Sequence, residues 1–188
     1  MTYISVDVET TGLIPGYNSL LSVGAVDCDN LENKFHVVLS STDAYSSRLV
    51  WDRGTKDWWN SQEAAKERLN GQFLGLDNQF TYNQMHKIAA GEFLKWLVQF
   101  EDTRFFVAWP ASFDYPYIQH LFLNEGIESP FSYRTIDVKS YACGKFNLPF
   151  DAGHDDFPEW LNAKPEFPHD ALSDAIQQAI VFNKLREM

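Results

Sequence analysis

Four carboxylates, Asp7, Glu9, Asp114 and Asp174, and the imidazole of His169 are the side chains of this sequence whose types and spacing could do chemistry. Carboxylates supply oxygen ligands for hard divalent cations, and an imidazole neutral near pH 7 can take a proton. Asp7 and Glu9 stand two apart, so on a strand of period two both carboxylates leave the same face. Two uncompensated acids on a buried strand repel each other, and a cation removes the repulsion. A bare Asp-x-Glu is ordinarily a solvated strand face. Here apolar Ile4, Val6 and Val8 interleave with the acids and Thr10-Thr11-Gly12-Leu13 turns the chain directly after them, which moves the reading toward a metal site. Asp114 follows an apolar run of strand length and precedes Pro116; its local role is a helix N-cap, at a strand end where ligands of α/β sheets also bind. His169 and Asp174 lie five apart, about 140° around an ideal helix, so His169 must sit just before a helix and Asp174 one turn inside it. A lone histidine before a helix is otherwise a polar loop residue.

The elements that must position these residues follow from periodicity. Residues 2 to 9 alternate, with Ile4, Val6 and Val8 on one face and Tyr3, Ser5, Asp7 and Glu9 on the other. Leu20 to Val26 and Lys34 to Leu39 read as two further strands joined by a turn-forming stretch from Asp27 to Asn33, which predicts an antiparallel meander. Thr55 can cap a helix through Trp58, Trp59, Gln62 and Ala65, and Met85, Ala89, Phe93, Trp96, Leu97 and Phe100 repeat at helical spacing. Phe105 to Trp109 reads as a strand, followed by a Pro-Ala-Ser-Phe-Asp turn and a helix from Pro116 to Asn124 stopped by Gly126. Arg134 to Val138 reads as another strand, and Gly144 to Pro168 as a long irregular loop of the kind that borders active sites. A last helix starts near Asp170, with Ala171, Ala175 and Ala179 forming a narrow stripe that allows close approach to a sheet. Strands alternating with helices after a meander predict an α/β fold with a mixed sheet.

Composition bounds the rest. The 188 residues suit a single domain, 1–188, able to bury a core without staples, and 15 Phe, 8 Tyr and 6 Trp exclude a disordered chain. The chain enters a strand pattern at its first residues with no apolar run of signal or membrane length, so a soluble, cytoplasmic protein with no membrane partner is expected. Cys28 and Cys143 are too few for a disulfide framework or a zinc cluster, and reduced thiols are expected. The net charge of −11 argues against tight duplex binding through surface phosphate contacts. It is compatible with an enzyme that meets phosphate through metals; two divalent ions would take −11 to −7 and place the change at the site.

Taken together, Asp-Val-Glu-Thr-Thr-Gly-Leu at 7–13, Pro-Ala-Ser-Phe-Asp at 110–114 and His-Asp-Ala-Leu-Ser-Asp-Ala at 169–175 resemble, in order and spacing, the three motifs of the DEDDh (DnaQ-like) exonuclease superfamily. The resemblance spans nearly the whole chain and is nearest to the short phage and bacterial exonucleases, some acting on DNA and a related group on RNA. Trp109 stands where many members carry asparagine. Trp58-Trp59 followed by Gln62 resembles a feature of the short exonucleases, with anchoring in the core and stacking on substrate both open as roles for the pair.

The resemblance implies a ribonuclease H-like fold and 3′→5′ exonuclease activity. It implies Asp7, Glu9, Asp114 and Asp174 as ligands of two Mg²⁺ or Mn²⁺ ions, His169 as general base, and Thr10, Thr11, Gly12 and Leu13 facing the terminal nucleotide, the open alternative for the last four being a tight turn with Leu13 in the core. The expected substrate is single-stranded nucleic acid with a free 3′-hydroxyl, DNA slightly favoured over RNA, degraded to 5′-mononucleotides. The rival readings are a noncatalytic nucleic-acid-binding module of the same fold, against which the intact set of four acids and His169 speaks, and an internally cutting ribonuclease H-like nuclease.

Overall fold

A computed structural model describes residues 1–42, 49–73, 81–161 and 165–188. Its strands are β1 (Thr2–Thr10), β2 (Leu20–Asp27), β3 (Asn30–Val38), β4 (Arg104–Ala108) and β5 (Thr135–Asp137). Its helices are α1 (Arg53–Ser61), α2 (Glu63–Gln72), α3 (Tyr82–Leu97), α4 (Ala111–Leu123), α5 (Val138–Phe146) and α6 (Ala171–Glu187). The five strands form one sheet in the order β3-β2-β1-β4-β5. β1, β2 and β3 pair antiparallel, whereas β1–β4 and β4–β5 are parallel. The expected meander and mixed α/β sheet are both present.

Alternation along β1 sends its side chains into two separate cores. Ile4, Val6 and Val8 face a cluster built with Ala89, Ala90, Phe93 and Leu97 of α3 and Ile118, Leu121 and Phe122 of α4. Tyr3 faces the other way, into a cluster carried by α5 and α6. Each fully buried Phe or Leu in these layers contributes roughly 1.5–3 kcal/mol relative to exposure. Asp7 and Glu9 share Tyr3's side and so look toward α6. A third, smaller cluster places Trp59 of α1 and Leu69 of α2 against Leu21 and Val38 at the end of the sheet.

The alanine stripe does what its size predicts. Gly24 pairs with Asp7 across β1 and β2, and a Cβ at Gly24 would come within 2.2 Å of the Ala171 carbonyl carbon and the Leu172 nitrogen. The first turn of α6 therefore lies directly on β2, beside Asp7, because glycine leaves room for it.

Several local expectations give way to tertiary contacts. β3 starts at Asn30, inside the stretch read as a turn; its first half is a polar edge whose alternation carries little apolar signal. The cap of α1 is Asp52, which accepts the Thr55 N–H at 3.0 Å, so Thr55 lies one turn inside, and the helix breaks at Gln62 before α2 begins. α4 begins at Ala111 rather than Pro116. Asp137 accepts the Ala111 N–H at 2.8 Å and also the Ser140 N–H at 2.7 Å, capping α4 and α5 together. Asp114 consequently lies inside α4 and is not its N-cap. The helix α5 was not expected from periodicity, and it shortens the loop before α6, which opens at Asn147 with φ 53° and includes two short 3-10 turns, His154–Asp156 and Glu159–Leu161. Residues 162–164 of that loop lie outside the described residues. Cys28 and Cys143 are both buried and unpaired. No described helix is long and apolar enough to cross a membrane.

Candidate active site

β1, α4 and α6 bring Asp7, Glu9, Asp114, His169 and Asp174 to one cavity of about 450 Å³. Asp7 and Glu9 enter from the C-terminal half of β1, as the strand period requires. Asp114 enters from the first turns of α4. Parallel pairing of β1 with β4 stops at Ser5–Val107, and beyond it the Val8 N–H donates to the Asp114 carboxylate at 3.0 Å. Asp174 lies in the first turn of α6, with the backbone N–H groups of His169 and Asp170 near its carboxylate. His169 stands two residues ahead of α6, as the 140° argument demands, with φ 59°, a left-handed conformation uncommon outside glycine and characteristic of functional sites. Ligand atoms of Glu9, His169 and Asp174 lie within 4.8 Å of one another. Asp7 and Asp114 stand beside that trio.

The site is electrostatically incomplete as a protein-only assembly. Burial, followed by the charges of Asp114, Glu9 and Asp174, holds Asp7 well above the usual carboxylate range. Burial and the charges of Asp174, Asp114 and Asp170 do the same to Glu9. Burial pushes Asp114 up to about 8 against its hydrogen bonds from backbone N–H groups, and Asp174 up to about 6 against its own and against the nearby Arg68. His169 moves the other way: burial lowers it below 6.5, so the imidazole is neutral at pH 7. A cavity that disfavours ionised carboxylates yet gathers four of them fits divalent cations, whose charge would reverse the carboxylate shifts and keep His169 neutral.

The turn after β1 divides its residues. Thr10 Oγ1 donates to the Gly12 carbonyl at 2.7 Å, and Thr11 Oγ1 accepts the Ser19 N–H at 2.7 Å, so both hydroxyls are bound within the fold. Gly12 packs against Asn18, where a Cβ would come within 2.4 Å of the amide carbon. Leu13 is 71% exposed, so its side chain projects from the turn rather than into a core.

Two features escaped the sequence. Gln178, on α6, donates from its amide to Asp7 Oδ1 at 2.7 Å while its carbonyl accepts the Trp109 N–H at 3.1 Å, tying a carboxylate of β1 to the end of β4. A glutamine one turn beyond Asp174 is the only signal, and it has meaning only once β1 is known to lie opposite. The adjacent tryptophans also separate: Trp59 is 1% exposed and donates from Nε1 to the Thr10 carbonyl at 3.1 Å, whereas Trp58 meets the His169 ring.

Comparisons with known proteins bear on the family and the fold. The sequence profile of the Rv2179c-like 3′-5′ exoribonuclease domain matches residues 2–185. The chain is 25% identical over 190 residues to the 3′-5′ DNA exonuclease Cap18 of Escherichia coli, covering 99% of this chain and 92% of that protein. Its fold resembles that of the nuclease domain of 3′hExo, a DEDDh family member solved bound to rAMP, with a TM-score of 0.64 at 12% identity over 99% of this chain and 92% of the other. The expected ribonuclease H-like architecture is the one observed.

Proposed function

The chain belongs to the Rv2179c-like 3′-5′ exoribonuclease domain family, and on that premise we propose how its own residues carry out hydrolysis from a 3′ end and on which strand. It is a hydrolytic 3′-5′ exonuclease of the DEDDh type, acting on nucleic acid. The observation that carries the finer reading is the convergence of four carboxylates and a neutral imidazole in one cavity. Asp7, Glu9, Asp114 and Asp174 would hold two divalent cations, Mg²⁺ or Mn²⁺. When bound, such ions supply charge to the attacking and leaving oxygens of an in-line displacement. The protein's own contribution is positional and acid–base. His169 accepts the proton of the attacking water as the water oxygen bonds to phosphorus. The bond from phosphorus to the penultimate nucleotide's 3′ oxygen breaks, that oxygen takes up a proton from solvent, and a 5′-mononucleotide leaves. The turn from Thr10 to Leu13 faces the terminal nucleotide, through its backbone and the exposed Leu13 side chain.

Single-stranded DNA is the proposed preferred substrate. The Escherichia coli relative, similar over nearly the whole chain, is a DNA exonuclease, and an acidic surface gives little help in opening a paired end. The family description names RNA, so matched DNA and RNA oligonucleotides, labelled at the 5′ end, make the test. A descending ladder is expected, faster on DNA, and a 3′-phosphate should slow it strongly by adding negative charge beside Glu9. Immediate release of the 5′ label as a mononucleotide would defeat the polarity, and cleavage of circular single strands would return the internal-cutting rival.

Gln178 gives a separate check on Asp7. Gln178→Ala frees the Asp7 carboxylate to rotate, and loss of such a supporting contact typically weakens metal binding or activity about 10- to 100-fold. Turnover at low Mg²⁺ should fall and recover as Mg²⁺ is raised; an unchanged Mg²⁺ dependence would remove Gln178 from the site.

A further inference from the structure

We infer that Trp58 is a positioning residue for His169, holding the imidazole in the orientation from which it faces Glu9 and Asp174. The inference rests on the assignment of His169 as general base. The backbone around His169 is tied at several points. Asp170 accepts the Ser173 N–H at 3.0 Å and the Gln72 side-chain amide at 2.7 Å. Phe167 N–H donates to the Ser173 hydroxyl at 3.0 Å, and the Arg68 guanidinium lies 4.7 Å from the centre of the Phe167 ring. These contacts fix the loop in its left-handed turn at His169, yet none of them touches the imidazole. Among the described residues the ring packed on it is that of Trp58, with centroids 4.6 Å apart and planes at 86°. Edge-to-face contact at that distance is a preferred arrangement of aromatic rings, and it restricts rotation of the imidazole about its χ angles.

Trp58 is itself braced from β1. The Thr11 carbonyl accepts the Asp52 N–H at 2.8 Å, Asp52 caps α1, and Trp59, the next residue, donates to the Thr10 carbonyl. Trp58 also meets Trp59 edge-on, with centroids 5.3 Å apart. The helix that presents Trp58 is thus fastened to the strand end that carries Glu9, so the orientation of the imidazole is set relative to the acids. At 37% exposure Trp58 is too open to serve chiefly as a core anchor. Its neighbour has that role.

The test is steady-state kinetics of Trp58→Ala, Trp58→Phe, His169→Ala and the double variant Trp58→Ala/His169→Ala on a 5′-labelled single-stranded oligonucleotide, each first shown to melt as a folded protein. Misplacement of a reacting group by about 1 Å can cost roughly 10²-fold, so Trp58→Ala should lower kcat about 10- to 100-fold. KM should move by less than roughly threefold, the pattern of a lost transition-state interaction. Trp58→Phe, which keeps a ring edge, should recover most of the rate. In the His169→Ala background, removing Trp58 should change kcat by less than about twofold, because two residues acting through one group are not additive. A raised KM with kcat retained would make Trp58 a substrate-stacking residue and overturn the proposal. Equal losses in both backgrounds, or no recovery in Trp58→Phe, would overturn it too. A normal kcat in Trp58→Ala beside a crippled His169→Ala defeats the Trp58 role alone; a normal kcat in His169→Ala defeats the base assignment on which it rests.

Discussion

Excess chelator is expected to stop degradation, Mg²⁺ or Mn²⁺ to restore it, and Asp7→Asn to leave the protein folded with turnover reduced roughly 10³-fold or more. The magnitude follows from charge stabilisation of several kcal/mol at about 1.4 kcal/mol per decade. The same substitution should raise the melting temperature of the metal-free protein. Asp7, Glu9, Asp114 and Asp174 all have pKa values raised in the folded chain, Asp174 to about 6 and Asp114 to about 8. Between an unfolded value of about 4 and those folded values, the folded state binds more protons than the unfolded one. Their stabilising contribution is complete below about pH 4 and is lost as pH rises toward 8. The advantage of Asp7→Asn over the wild type should therefore widen with pH in chelator. In Mg²⁺ it should shrink or reverse, because ions that bind only the native wild-type site stabilise it. Full activity in chelator, or a metal-free wild type that gains on Asp7→Asn as pH rises, would remove the metal assignment.

How far these residues could be read without a structure depended on the range of the interactions that place them. The strand period alone sets Asp7 and Glu9 side by side, and helix geometry alone puts His169 ahead of α6. Both are properties of a few consecutive residues. The start of α4 is not, because its cap comes from Asp137, 26 residues away, and Pro116 offers a better local start than the true one. The supporting role of Gln178 depends on a contact spanning 171 residues. Gly24 is intermediate: a glycine in a strand signals a close approach, but only the fold says that the approaching element is the first turn of α6. The tryptophan pair left core anchoring and substrate stacking both open in sequence; the fold turns Trp59 into the core and Trp58 toward His169, since consecutive helical residues point about 100° apart.

The remaining large effect concerns His169, whose place among the acids admits two chemical uses. Its nitrogen lies close enough to Glu9 and Asp174 to ligate a cation or to take a proton from water beside one. Its lowered pKa suits either, but the two uses separate on removal of the ring. As general base, His169→Ala should lower kcat by roughly 10²- to 10⁴-fold while the Mg²⁺ concentration giving half-maximal rate stays put. As ligand, that concentration should rise and high Mg²⁺ should restore the rate. The pH profile adds a second criterion. A base must be neutral to act, so activity at saturating Mg²⁺ should fall as pH drops through the His169 pKa, below the ordinary 6.5 because burial disfavours the imidazolium. That acid limb should disappear in His169→Ala, leaving a slow rate that varies little across the same range. A variant with near-normal kcat and the wild-type acid limb would leave His169 as a loop residue, and the acid limb would then belong to the carboxylates.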